Sequence, residues 1–284
     1  MKIFVYGATG QIGSIIIKRL LEEGHEVLAG TREPEEQDQK VGLTWIKVDV
    51  EKPGLGLESL INADCAFLMS PPFYADQYAV LNPWIEEAKK VNLGKVVLMS
   101  SMGVDMAPPE MPFRKLELSL KESGIDYNII RPNWFMENFH TFWIKGILEN
   151  KQIFFPGGQA KTSFVDIHDV AEVAFVLLQS GNYSKKEFTL TGRESLTHIE
   201  VANILSEATG VQIGYSDIAS KDFNTGLIGA GIPEDYANLL TMLANNLAEG
   251  NNARITSTVK ELTGRDPVRF ASYASTNKNA WLKA

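Results

Sequence analysis

A chain of 284 residues, 44% hydrophobic and 22% charged, can bury a sizeable core as one large domain or two small ones. Its formal net charge of -8 at pH 7, with no basic cluster anywhere, excludes a broad nucleic-acid-binding surface. The one cysteine, Cys65, excludes an internal disulfide, and no apolar run approaches a membrane span, so the expected setting is cytoplasmic, away from membranes.

Lys2 to Tyr6 is a short apolar strand pattern, and it leaves no stretch that reads as a signal peptide. Gly7, Gly10 and Gly13 follow, and from Gln11 to Glu23 the residues Ile12, Ile15, Ile16 and Leu20 recur at helical spacing. Strand, glycine turn and helix are what a dinucleotide needs. Gly7 permits the tight turn, Gly10 lets backbone approach a pyrophosphate, and Gly13 allows close helix packing. Free N–H groups at the helix start, among Gln11 and Ile12 after Thr9, then face the phosphates. Glu26 to Gly30 is a second strand, ending in Thr31 and Arg32 where an adenosine ribose should lie. An acidic residue there accepts from both ribose hydroxyls, whereas an arginine offers a planar donor fork for a 2′-phosphate.

Thr44 to Val50 is a third strand containing Asp49, and Leu57 to Asn62 a short helix. Cys65 to Met69 is a fully apolar fourth strand stopped by Ser70, Pro71 and Pro72. A helix spans about 76 to 91 with Pro83 as an expected kink. Lys95 to Ser100 is a fifth strand with Ser101, Met102 and Gly103 at its exit, and Phe113 to Ser123 a helix ended by Gly124. Tyr127 to Arg131 is a sixth strand, after which Pro132 is expected to open a helix presenting Asn133, Trp134, Phe135 and Asn138. This alternation implies an α/β fold with a parallel sheet covered on both faces. Beyond Lys151 the pattern changes: IFFPGG, a helix from Asp166 to Ser180, the strand KEFTLTG, a capping box at Thr197 and Glu200, then mostly helix, with 266–282 as the last. The expected division is a nucleotide-binding domain over 1–150, rejoined by a helix and strand within 163–192, and a small helical cap over 151–284.

The pieces GATGQIG, GTREP, KVVLMSS, ESGIDYNIIRPNWFMENF and TSFVDIHDVAEVA, in that order, resemble the NmrA-like group of atypical short-chain dehydrogenases, nearest its NAD(P)H:quinone oxidoreductase and triphenylmethane reductase branch. GAGIPEDYA and RDPVRFASYA extend the resemblance through the C-terminal helices. It implies a Rossmann-type domain, a small C-terminal domain and NADP(H), with NADPH preferred, in the crevice at the carboxyl edge of the sheet. Ordinary short-chain dehydrogenases use Tyr-x-x-x-Lys, a tyrosine proton donor with a lysine one turn on. Anchoring on Glu117 and Ser123–Gly124 puts Pro109 and Phe113 at those positions, and a two-residue slide gives Met111 and Lys115. The pair is absent in both alignments.

The expected cofactor contacts are therefore Gly7, Thr9, Gly10, Gln11, Ile12, Gly13, Thr31, Arg32, Asp49, Ser70, Pro71, Ser100 and Ser101. The substrate is expected at Met102, Asn133, Trp134, Phe135 and Asn138, with Trp134 or Phe135 as a flat wall for a planar acceptor. No catalytic residue stands out. Lys115 and His140 are weak candidates, while His25, His140, His168 and His198 lack metal-ligand spacing and Asp166 and Asp169 read as helix-start carboxylates, so no metal is expected. The expected partner is a small molecule; a protein partner enters only if the chain senses NADP(H) rather than turning it over, and the oligomeric state stays open.

Overall fold

The computed structural model describes residues 1–282. The strand β1 (Lys2–Val5) passes through the glycine turn into α1 (Gln11–Glu22) and β2 (Glu26–Thr31). There follow β3 (Leu43–Lys47), β4 (Cys65–Met69), α2 (Gln77–Lys90), β5 (Lys95–Met99), α3 (Pro112–Glu122) and β6 (Tyr127–Pro132). Next come α4 (Ile144–Asn150), β7 (Gln152–Phe154), α5 (Ile167–Gln179), β8 (Lys186–Leu190), α6 (His198–Thr209) and β9 (Gly214–Ser216). The chain closes with α7 (Ser220–Gly229), α8 (Glu234–Ala248), α9 (Thr258–Thr263) and α10 (Phe270–Asn277). Two compact units emerge, one of 1–131 with 170–189, the other of 132–169 with 190 onward. The chain leaves the first unit after Arg131, earlier than the expected division at 150. Among the described residues no helix is long and apolar enough to cross a membrane.

The first unit is a Rossmann-type doubly wound sheet. Its strand order is β3-β2-β1-β4-β5-β6-β8, and every pair from β3 to β6 is parallel. Order reverses between β1 and β4, which creates the topological switch point where such sheets bind ligands outside their carboxyl ends. Side chains alternate across the sheet. Phe4 and Tyr6 join Leu81, Trp84 and Ile85 of α2 and Leu116 and Leu120 of α3 in one buried cluster, with Phe4 stacked on Trp84 at 4.7 Å. On the opposite face Arg19 of α1 lies 4.4 Å over the Phe175 ring of α5. Buried Lys95 donates to the carbonyls of Leu177 (3.1 Å) and Ser180 (2.6 Å), a cation placed on the negative end of α5. α2 runs through Pro83 as one element, and the carbonyl that Pro83 leaves without its donor belongs to exposed Ala79.

The second unit is built on aromatics. Phe139, Trp143, Phe155, Phe164, Phe270 and Trp281 are all buried in its core, flanked by the two-stranded parallel sheet β7–β9. α6 starts on the expected capping box, Glu200 N–H to Thr197 Oγ1 at 3.1 Å and Thr197 N–H to Glu200 at 2.7 Å. Two expectations fail. The last helix is shorter than 266–282, covering only Phe270–Asn277 before a 3₁₀ turn at Lys278–Ala280.

More consequentially, Pro132 does not open a helix. It ends β6, and the chain stays extended: Asn133 N–H donates to Leu190 O (2.9 Å), Val165 N–H to Trp134 O (3.0 Å) and Met136 N–H to Val165 O (3.0 Å). Only then does a 3₁₀ turn form at Met136–Phe139. The residue before a proline is biased to extended backbone, and pairing with Val165 continues that geometry. Trp134 and Phe135 thus lie on an extended segment, not on the first turn of a helix.

Candidate functional site

The glycine turn has the form the sequence expects. Gly7 sits at φ +77° and accepts the Gly10 N–H at 3.0 Å, closing the turn. A Cβ on Gly13 would stand 2.2 Å from Gly7 O, so no side chain fits there without moving backbone. A Cβ on Gly10 would meet the same oxygen at 3.2 Å, and one on Gly7 the Met69 Cε at 2.9 Å. The first internal bond of α1 is Ser14 N–H to Gly10 O (2.9 Å), leaving the N–H groups of Gln11, Ile12 and Gly13 outside the helical ladder. No acidic residue occupies the first turn. An uncapped helix start behind a cradle that only glycine permits suits a pyrophosphate.

The other expected cofactor residues gather along the same carboxyl edge. Thr9 and Gln11 are exposed and Ile12 is buried. Tyr6 N–H donates to Phe67 O (2.9 Å), Met69 is in register with Met99, and Ser100 N–H reaches Ile130 O (2.8 Å), so the ends of β1, β4, β5 and β6 stand side by side. Ser70 and Pro71 lie half-buried at the end of β4; Ser101 and Met102 do so beyond β5. Ser100 is only 3% exposed and its hydroxyl has no partner among the described residues, an orphaned polar atom at the ligand edge. Thr31 is buried, whereas Arg32 projects into solvent. Asp49 is half-buried and accepts the Glu51 N–H at 3.0 Å.

Lys115 is not poised as a proton donor's partner: its ammonium lies 3.9 Å over the Tyr78 ring of α2. α3 is instead anchored by a charge cluster the sequence reading missed. Arg131, 4% exposed, grips Glu117, which is fully buried, through Nε to Oε1 and Nη2 to Oε2, both 2.7 Å, and also binds Glu187. Burial alone would lower the arginine's pKa; Glu117 and Glu187 hold it above the usual range. The available signal was an arginine closing an otherwise apolar strand, which demands buried acid partners.

In the second unit the expected substrate residues part company. Asn133 is spent internally: its amide N–H groups reach Ser163 Oγ (2.8 Å) and Asn252 O (2.9 Å), while its oxygen accepts from Asn252 Nδ2 (2.7 Å) and Trp134 N–H (2.9 Å). That leaves it nothing for a substrate, so it is a structural clasp. Trp134 is half-buried, stacked on Trp143 at 6.1 Å and edge-on to Phe155 at 5.4 Å. Phe135 and Asn138 are half-buried, and the Asn138 side chain has no hydrogen bond among the described residues. His140 Nδ1 and the Tyr273 hydroxyl share a hydrogen bond. Burial lowers the pKa of His140 and raises that of Tyr273.

Sequence spacing also gave no sign of a buried acid pair beside that histidine. Glu137 is 4% exposed, and burial, then Asp166, push its carboxyl up to about 8. Its Oε2 accepts the Ile167 N–H at 3.3 Å. Donor atoms of Glu137, Asp166 and His168 lie within 4.8 Å of one another, although Asp166 already pairs with His168 Nδ1 at 2.9 Å. Asp169 stands in the first turn of α5, as expected of a helix-start carboxylate, and also accepts the Val268 N–H at 2.8 Å.

The profile of the NmrA-like family matches residues 1–273. Agroclavine dehydrogenase of Claviceps fusiformis is 29% identical over 99% of this chain and 99% of its own length. Among solved structures, the NADPH complex of the NADPH-dependent quinone oxidoreductase QOR2 from Escherichia coli superposes with a TM-score of 0.82, at 22% identity over 97% of this chain and 99% of that one. The Citrobacter sp. triphenylmethane reductase complexed with NADP(H) gives a TM-score of 0.83, at 18% identity over 98% and 100% of the two chains. At these identities the solved structures speak for the fold.

Proposed function

The chain belongs to the NmrA-like family, and on that premise we propose that it is an NADPH-dependent reductase of a small, planar, electron-poor organic acceptor of the quinone or dye kind. The observation that carries the reading is the glycine cradle, where a Cβ on Gly13 would overlap Gly7 O at 2.2 Å, beside a solvent-facing Arg32. Gly7, Gly10 and the free N–H groups of α1 would hold the pyrophosphate, and Arg32 with Thr31 the 2′-phosphate. Bound nicotinamide supplies a hydride. Support comes from the relative named a dehydrogenase and from fold neighbours named as NADP(H) reductases.

Nothing in this reading needs a tyrosine–lysine couple, because a quinone-like acceptor takes its proton from solvent after hydride addition. Lys115, resting on Tyr78, has no part in it. Trp134, Phe135 and Asn138 keep the acceptor role and Asn133 loses it, because its amide is fully bonded. The test has two arms. NADPH should bind at least about tenfold tighter than NADH, a gap of about 1.4 kcal/mol, and Arg32→Ala should erase most of that gap. Equal affinities in the parent protein refute the Arg32 assignment. NADPH consumption should also appear against a panel of quinones and dyes. The absent Tyr-x-x-x-Lys pair favours a second reading, a non-catalytic NADP(H) sensor, and tight NADPH binding without consumption of any acceptor selects it.

A further inference from the structure

Arg32 stands among acids and pairs with none. Glu33, Glu35 and Glu36 follow it on one loop, and the exit of β3, carrying Asp49 and Glu51, runs beside it through the Val48 N–H to Thr31 O bond at 2.9 Å. Among the described residues Arg32 makes no hydrogen bond or ion pair.

The two acids beyond β3 are occupied. Asp49 accepts the Glu51 N–H at 3.0 Å, and its other oxygen lies 4.0 Å from Lys52 Nζ. Glu51 accepts the Tyr74 O–H at 3.1 Å. Tyr74 comes from the loop after β4, on the far side of β1, so its phenol bridges across the carboxyl edge to reach that glutamate. The groups share one electrostatic locality: burial, then Glu51, raise the Tyr74 pKa, Arg32 pulls it down and Asp49 pushes it up. A guanidinium has its full donor fork for a phosphate only while no carboxylate occupies it.

We propose that Tyr74 is a specificity-determining positioning residue, which keeps Arg32 open to a 2′-phosphate by holding the Glu51 carboxylate away from it. This rests on the cofactor reading above. Released from Tyr74, the exposed glutamate competes for the guanidinium and repels the incoming phosphate. NADH, lacking that phosphate, does not register the change.

The test is a set of dissociation constants for NADPH and NADH, measured by titration calorimetry on folded full-length protein. Tyr74→Phe raises the NADPH constant about threefold, the scale of an exposed ion pair, and leaves the NADH constant within about twofold. Adding Glu51→Gln to Tyr74→Phe removes the competing charge and restores NADPH binding. An unchanged NADPH constant in Tyr74→Phe overturns the proposal. So does weakening that Glu51→Gln fails to rescue, which makes the phenol a direct phosphate contact or a structural support. Arg32→Ala separates the two levels. If the NADPH preference survives it, the cofactor reading falls and this inference with it; if the preference vanishes while Tyr74→Phe binds normally, only the inference falls.

Discussion

At the scale of the residue, the first unit depends on a few charges whose partners are far away in sequence. Arg131 and Glu117 form a bidentate pair in which neither side chain is appreciably exposed. Removing Glu117 takes two short bonds from a buried guanidinium and leaves it only the partly exposed Glu187 and Asp105, whereas replacing both members by apolar groups removes the buried charges together. Glu117→Ala should therefore cost about 3–5 kcal/mol of unfolding free energy, and Arg131→Met with Glu117→Leu clearly less than the sum of the single changes. Urea denaturation of the cycle checks it. Additive single costs would mean the pair is not energetically coupled.

At the scale of the element, the start of α1 is a steric design. Gly13 is the position where the helix meets the turn, and the obstruction is backbone, which cannot swing aside as a side chain can. Gly13→Ala should raise the NADPH dissociation constant by more than about tenfold or lower stability outright, because something must shift to admit the methyl. Gly226 in α7 is the contrast: nothing lies within 4 Å of its Cβ position, and its φ is not in the left-handed region. Gly226→Ala should stabilise by about 0.5–1 kcal/mol through helix propensity alone. Thermal melts of the two variants moving the same way would refute the distinction. The extended run from Pro132 to Phe135 teaches the converse lesson. Proline at a helix start and proline at a strand end look alike locally, and pairing with Val165 decided between them.

At the scale of the whole molecule, two buried groups of the second unit set opposite pH trends. Glu137 has its carboxyl raised from 4.5 to about 8, so it favours the folded state below pH 4.5 and loses that contribution as pH rises through about 8. His198 is fully buried among aromatic rings, stacked on Phe155 at 4.6 Å, with neither ring nitrogen bonded among the described residues. Burial lowers it from 6.5 to about 3, so its contribution is complete above pH 6.5 and fades as pH falls toward about 3. Across pH, the melting temperature should accordingly fall less steeply between about pH 4.5 and 8 in Glu137→Gln, and less steeply below about pH 6.5 in His198→Phe. Parent-like slopes in both would show that other groups govern the pH response.

The sequence by itself determined what depends on neighbours along the chain. It was enough for the strand–glycine–helix start, the alternation that makes a doubly wound sheet, the capping box at Thr197 and the arginine after β2. These rest on local sterics, periodicity and hydrogen bonds spanning a few residues. Tertiary structure decided whatever depends on who stands opposite. Asn133 is a clasp because Asn252, 119 residues away, meets both ends of its amide, and Lys115 is drawn to Tyr78 of another helix. Arg131 finds Glu117 14 residues back and Glu187 56 residues on, and Glu51 meets Tyr74 only because the loop after β4 crosses the sheet edge. A side chain's chemistry is written in its own letter. Whether that chemistry is free for a ligand or consumed within the fold is set by desolvation and long-range pairing, which no local pattern encodes.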